Sequence, residues 1–218
     1  VNGLIIAVSV GDIIGIDEEE SIQLAQRLRE RLDEVMERLK MIVPVYVIVT
    51  KCDLLAGFVD VFGDLAKSER GQIWGSTFPL MDKGDDLVEP FRERFNEMAE
   101  VVEQRCTERL GKERHPETRE RIYRFPQQFE GLRENIAAMV QTLFAENVYA
   151  DTPVMRGVYF TSGTQEGSPI DRVMNAMADA FGIRRSLPSS SKPATVEARS
   201  YFLRDVFAEV MFPDQDLA

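Results

Sequence analysis

The residues of this 218-residue chain with a recognisable chemistry sit at two places. The first is Thr50-Lys51-Cys52-Asp53, directly after the apolar run Val45 to Val49. In open α/β sheets, ligands bind beyond the carboxyl ends of the strands, which is where this tetrapeptide would lie. A carboxylate there accepts a forked pair of hydrogen bonds from the N1 and N2 donors of a guanine base, and the Lys51 stem can lie along the base plane. The same residues also fit a polar strand end in which Asp53 caps the next turn. The second place is the Thr161-Ser162-Gly163-Thr164 turn after the short run Gly157 to Phe160. Its backbone N–H groups suit the O6 atom of the same base, and by itself it is equally an ordinary Ser/Gly turn. Thr50, Lys51, Asp53, Ser162 and Gly163 are therefore the candidate base-contacting set. No catalytic residue and no metal site is assigned.

These residues need strands and helices to bring them together. Leu4 to Val10 is apolar without alternation, as in a strand buried on both faces of a parallel sheet. Asp17-Glu18-Glu19-Glu20 places negative charge at a helix start. Ile22, Ala25, Leu28, Leu32, Val35, Met36 and Leu39 then recur at helical spacing over 18–40. With Val45 to Val49 this makes a strand–helix–strand unit. A short helix is expected around Val59 to Trp74, then a loop to Pro79. A long helix over 87–110 follows, then a weaker helical pattern from Glu117 to Phe125. Another helix is expected from Pro126 to Glu146, with Pro126 in the first helical position. After the strand at 157–161, Ser168-Pro169 opens a helix ending at Gly182. The Ser/Pro-rich stretch 186–195 reads as a linker, and a last helix spans Glu197 to Met211. The division expected is a partial α/β core over 1–80, a helical insertion over 81–147, the last strand and helix over 148–185, and a linker with a docking helix over 186–218.

Composition narrows the chemistry. With 26 Lys and Arg against 37 Asp and Glu, the formal net charge is −11, so nucleic acid is an unfavourable partner. One histidine disfavours a histidine zinc site or a Ser/His/Asp triad, and two cysteines do not make a disulfide framework. No apolar run reaches the roughly 18 residues a membrane span requires. Asp82, Asp85 and Asp86 lack the spacing and glycine of a calcium loop and read as a solvated helix start.

The order strand, helix, strand with Thr-Lys-Cys-Asp, insertion, strand with Thr-Ser-Gly matches the second half of a GTPase-like (P-loop NTPase) domain. There an Asn-Lys-x-Asp motif and a Ser-Ala turn hold guanine. Thr50 stands for the Asn and Gly163 for the Ala. The phosphate end is missing, because no Gly-x-x-x-x-Gly-Lys-Ser/Thr loop occurs in the chain. In a GTPase that loop precedes the strand at Leu4, and a chain opening on Val1-Asn2-Gly3 without Met reads as a piece of a longer one.

Four blocks carry a closer resemblance: Val1 to Ser9, Leu28 to Glu34, Pro44 through Thr50-Lys51-Cys52-Asp53 to Phe58, and Arg156 to Gln165. With Ile73 to Pro79 and Ser200 to Phe207, they resemble the cytoplasmic NTPase-like region of the TssM/IcmF family of type VI secretion systems. The resemblance implies a multi-pass protein of the bacterial inner membrane, with this segment cytoplasmic. It implies a membrane complex built with TssL and, through a periplasmic part, the TssJ lipoprotein, while the cytoplasmic side meets baseplate proteins. It implies no cofactor within this chain, and GTP or ATP with Mg²⁺ only in an intact protein that has a phosphate loop. Two functions follow from it: a scaffold that docks those partners, or a nucleotide hydrolase that powers assembly.

Overall fold

A computed structural model describes residues 3–79, 86–147, 151–163 and 199–216. Four strands form one sheet: β1 (Leu4–Ser9), β2 (Pro44–Thr50), β3 (Gly75–Thr77) and β4 (Val154–Phe160), in the order β1-β2-β4-β3. β1 and β4 run parallel to β2 on either side, and β3 joins β4 antiparallel. The chain is thus mixed α/β with a mostly parallel sheet. The helix expected at 168–182 and the linker at 186–195 lie outside the described residues.

Helix α1 (Glu18–Leu39) starts as the acidic run requires. Asp17 accepts from the Glu20 N–H at 2.8 Å, and Glu20 reaches back to the Asp17 N–H at 3.2 Å. It ends on Lys40 in the left-handed region, φ 53°. β2 is buried along nearly its whole length, as its unbroken apolar run demands. β1 differs from expectation. Among the described residues it lies at the end of the sheet, and only one of its faces is covered: Ile6 and Val8 are buried while Ile5 (48% exposed) and Ala7 face outward.

Between β2 and α3 (Val88–Lys112) the expected 59–74 helix shrinks to α2 (Phe58–Phe62). Gly57 opens it at φ 96°, and a Cβ there would stand 2.4 Å from the Arg121 carbonyl oxygen. The expected loop holds β3. Trp74 and Phe78 sink into the core on either side of three small residues, and that anchoring makes the edge strand.

The helical boundary expected at Pro126 is also corrected. α4 (Pro116–Glu130) runs through Pro126, and the break falls at Gly131-Leu132 before α5 (Arg133–Leu143). Phe125 and Phe129, one turn apart and fully buried, hold α4 together across the proline. Phe129 stacks on Phe95 at 4.7 Å and on Trp74 at 4.9 Å. Residues of α1 to α5 share one apolar cluster with Ile6, Val8, Val47, Val49, Val158 and Phe160, which lie on the same sheet face. Arg29 of α1 ties this layer by donating to the carbonyls of Leu143 and Ala145 at 2.7 and 2.8 Å.

The opposite face carries Tyr46, Ile48 and Tyr159, covered by the C-terminal segment. That segment is not the single helix expected. Arg199 to Leu203 is not helical and pairs with Ser162 at Tyr201, Phe202 sits at φ 60°, and Val206–Met211 winds as a π-helical turn. It then reaches Asp214, which accepts from Tyr46 at 2.8 Å and from Arg156 in a fork at 2.6 and 3.0 Å. Among the described residues, no helix is long and apolar enough to cross a membrane.

Candidate functional site

The carboxyl rim of the sheet gathers the residues singled out from the sequence. Pairing of β2 with β4 continues past both strands: Thr161 N–H donates to Val49 at 2.8 Å, and Cys52 N–H donates to Thr161 at 3.1 Å. That register brings Asp53 and Ser162 together. Thr50 closes β2 by donating its hydroxyl to the Val8 carbonyl at 3.2 Å, which fixes β1 beside it. Lys51 turns the chain in the left-handed region, φ 58°, with its side chain exposed.

Asp53 lies in the 3₁₀ turn Cys52–Leu54 and is 3% exposed. The Ser162 hydroxyl donates to its Oδ1 at 2.6 Å. Ser162 is itself fully buried and exchanges both backbone hydrogen bonds with Tyr201, at 3.0 and 2.8 Å. The C-terminal segment therefore passes directly alongside the rim. Phe202 N–H continues the contact to Arg70, whose guanidinium lies 5.6 Å over the Tyr201 ring. Gly163 is exposed, and a Cβ built on it would meet nothing within 4 Å, so neither space nor a positive φ demands glycine there.

The chemistry open to this arrangement is polar closure. The Ser162 hydroxyl takes one acceptor site of the Asp53 carboxylate, whose two oxygens together offer several. Cys52 is no nucleophile, because full burial raises its thiol pKa far above the ordinary value. No cluster of metal-ligating side chains exists among the described residues. Asp82 and Asp85 lie outside those residues, and Asp86 accepts from the Val88 N–H at 2.9 Å, as a helix start does.

A second polar group stands at the opposite end of the sheet. Arg156, and then Tyr46, hold the Asp214 carboxyl below its ordinary value, and burial raises the Tyr46 phenol. Tyr201 and the Tyr46–Asp214–Arg156 group had no sequence signal. Each joins residues far apart in the chain, and only the packed sheet makes them neighbours.

The N-terminal domain model of the IcmF-related family matches residues 1–218, the whole chain. A curated relative, type VI secretion system component TssM1 of Pseudomonas aeruginosa, is 40% identical over 221 residues. That match covers 100% of this chain and 20% of the relative, so the chain spans about a fifth of the relative's length. No solved structure matches it. A family match over every residue, with a relative this similar along the full chain, settles the kinship: the chain belongs to the IcmF-related (TssM/IcmF) family, as its N-terminal domain.

Proposed function

We propose that this chain is a cytoplasmic docking scaffold of an inner-membrane type VI secretion component. In this reading it holds TssL-like and baseplate partners at the membrane complex, and a TssJ-like lipoprotein joins through the periplasmic part of the intact protein. The observation that carries this reading is the sealed rim. Ser162 gives its hydroxyl to Asp53 and both backbone groups to Tyr201, so the β2 end, the β4 end and the C-terminal segment are joined at the rim. A rim built this way fixes the fold and leaves the surface for partners.

The second reading is a GTPase-like domain that hydrolyses GTP or ATP with Mg²⁺ in the intact protein. The parallel order β1-β2-β4 favours it, with Asp53 and Gly163 at one rim as in the base-binding half of such a sheet. Under it Thr50, Lys51 and Asp53 would face the base, and Ser162 and Gly163 would close over it.

Lys51→Ala in the intact protein separates the two, because Lys51 is exposed and its loss spares the core. Effector secretion should stay within about twofold of wild type, where a base contact worth about 1.4 kcal/mol would cost tenfold in affinity. Abolished secretion with the membrane complex still assembled would sink the scaffold reading. So would phosphate release by the 218-residue chain above that of a Lys51/Asp53 double-alanine variant.

A further inference from the structure

We infer that the groove between the outer edge of β3 and helix α3 binds an extended, basic peptide segment of a partner protein, added to the sheet as a fifth strand. The inference is independent of whether the rim binds nucleotide. Ser76 is paired with Val158, while Phe160 N–H donates to Trp74 at 2.7 Å and Phe78 N–H to Arg156 at 2.8 Å. Trp74, Ser76 and Phe78 thus turn their backbone groups towards β4. Alternation turns the N–H and C=O of Gly75 and Thr77 the other way, out of the sheet. Among the described residues, no backbone group pairs with them on that side. Two donors and two acceptors, two residues apart, form a template that only an extended backbone matches.

Beside this edge lies a cavity of about 440 Å³, walled by Trp74, Met98 and Val101. Val101 is 66% exposed, unusual for an apolar residue on a helix that buries Phe95 and Val102. In an added strand, the residue opposite Ser76 points to the same face as Ser76, towards α3. That residue is an apolar anchor seated on Met98 and Val101. At the lip, Arg94 and Glu97 pair at 2.8 Å and contribute no net charge. The chain as a whole carries a formal net charge of −11, which disfavours acidic segments and draws basic ones. The ligand class is therefore an extended segment with an apolar anchor flanked by Lys or Arg.

The test uses the 218-residue chain and a short peptide of alternating Thr and Leu with Lys at both ends. Saturable binding should slow hydrogen exchange at the Gly75 and Thr77 amides and leave Ser76, already bonded to β4, unchanged. N-methylation of the peptide residues facing Gly75 and Thr77, Glu in place of its Lys, and Val101→Glu in the protein should each weaken binding about tenfold or more. Val59→Glu, at another exposed valine, should not. Equal binding by the N-methylated peptide, or protection confined to other residues, overturns the proposal. So does protection of Gly75 and Thr77 that rises with protein concentration without peptide, since the edge would then serve a second copy. Should Val101→Glu fail to fold, amide exchange in the wild-type chain decides by itself.

Discussion

Removing the Ser162 hydroxyl should reveal whether the rim is a structural joint or a binding site. Its hydrogen bond to Asp53 is short, 2.6 Å, and both residues are buried. Hydrogen bonds to charged groups contribute about 1.5–3 kcal/mol. Ser162→Ala should therefore lose about 2 kcal/mol. For a chain of this size that lowers Tm by about 4–8 °C. Asp53→Ala should lose at least as much, because it also empties a buried site. The two changes remove one contact, so the double variant should be less damaged than the sum, with a coupling of about 1.5 kcal/mol or more. Urea denaturation of the wild type, both single variants and the double variant measures this directly. About 1 mM GTP with Mg²⁺ should leave all four midpoints in place, since a ligand that binds the folded state raises stability by mass action. Additive losses, single variants indistinguishable from wild type, or a midpoint raised by nucleotide would each refute the reasoning.

Three further outcomes follow from other parts of the structure. Gly57→Ala forces a Cβ to 2.4 Å from the Arg121 carbonyl at φ 96°, and should cost about 3 kcal/mol or more by thermal denaturation. A loss below about 1 kcal/mol would mean that α2 and α4 are not held this close. Asp214 titrates below its ordinary value of 3.8 when folded, so its stabilisation is complete above that value and is lost as pH falls through the lower one. The stability gap between wild type and Asp214→Asn should be level near neutrality and shrink below about pH 4, and a gap unchanged at low pH would contradict the ion pair. Burial pushes the Cys106 thiol up to about 11 and Cys52 higher, so neither should react with a thiol reagent in the native chain near pH 8. Rapid labelling without denaturant would place one of them at the surface.

How legible each part was depended on whether local pattern or distant packing decides it. Helix α1 could be read from Asp17, Glu20 and the apolar spacing, because cap and stripe are local. β2 and β4 were visible as β-branched and aromatic runs; the helix between β1 and β2 implied that those two strands are parallel, and the GTPase-like order of elements set β4 beside β2. That pairing alone brings Asp53 to Ser162, so the meeting of the two rim residues was foreseeable. The bridge from Ser162 to Tyr201 was not, because its partner lies 39 positions further along the chain. β3 escaped notice since Gly75-Ser76-Thr77 has little strand preference of its own; its flanking aromatics and the waiting edge of β4 make it extended. Pro126 misled for the opposite reason. A proline normally marks a helix start, but here two phenylalanines a turn apart outweigh the one lost backbone bond.

The Ser162–Tyr201 bridge has an evolutionary corollary. Two residues 39 positions apart in the chain are joined there by a pair of backbone hydrogen bonds. Both bonds of the bridge are main-chain, so the junction does not depend on the side chain that stands at position 201. Homologues should accordingly keep this backbone junction even where the residue in place of Tyr201 differs.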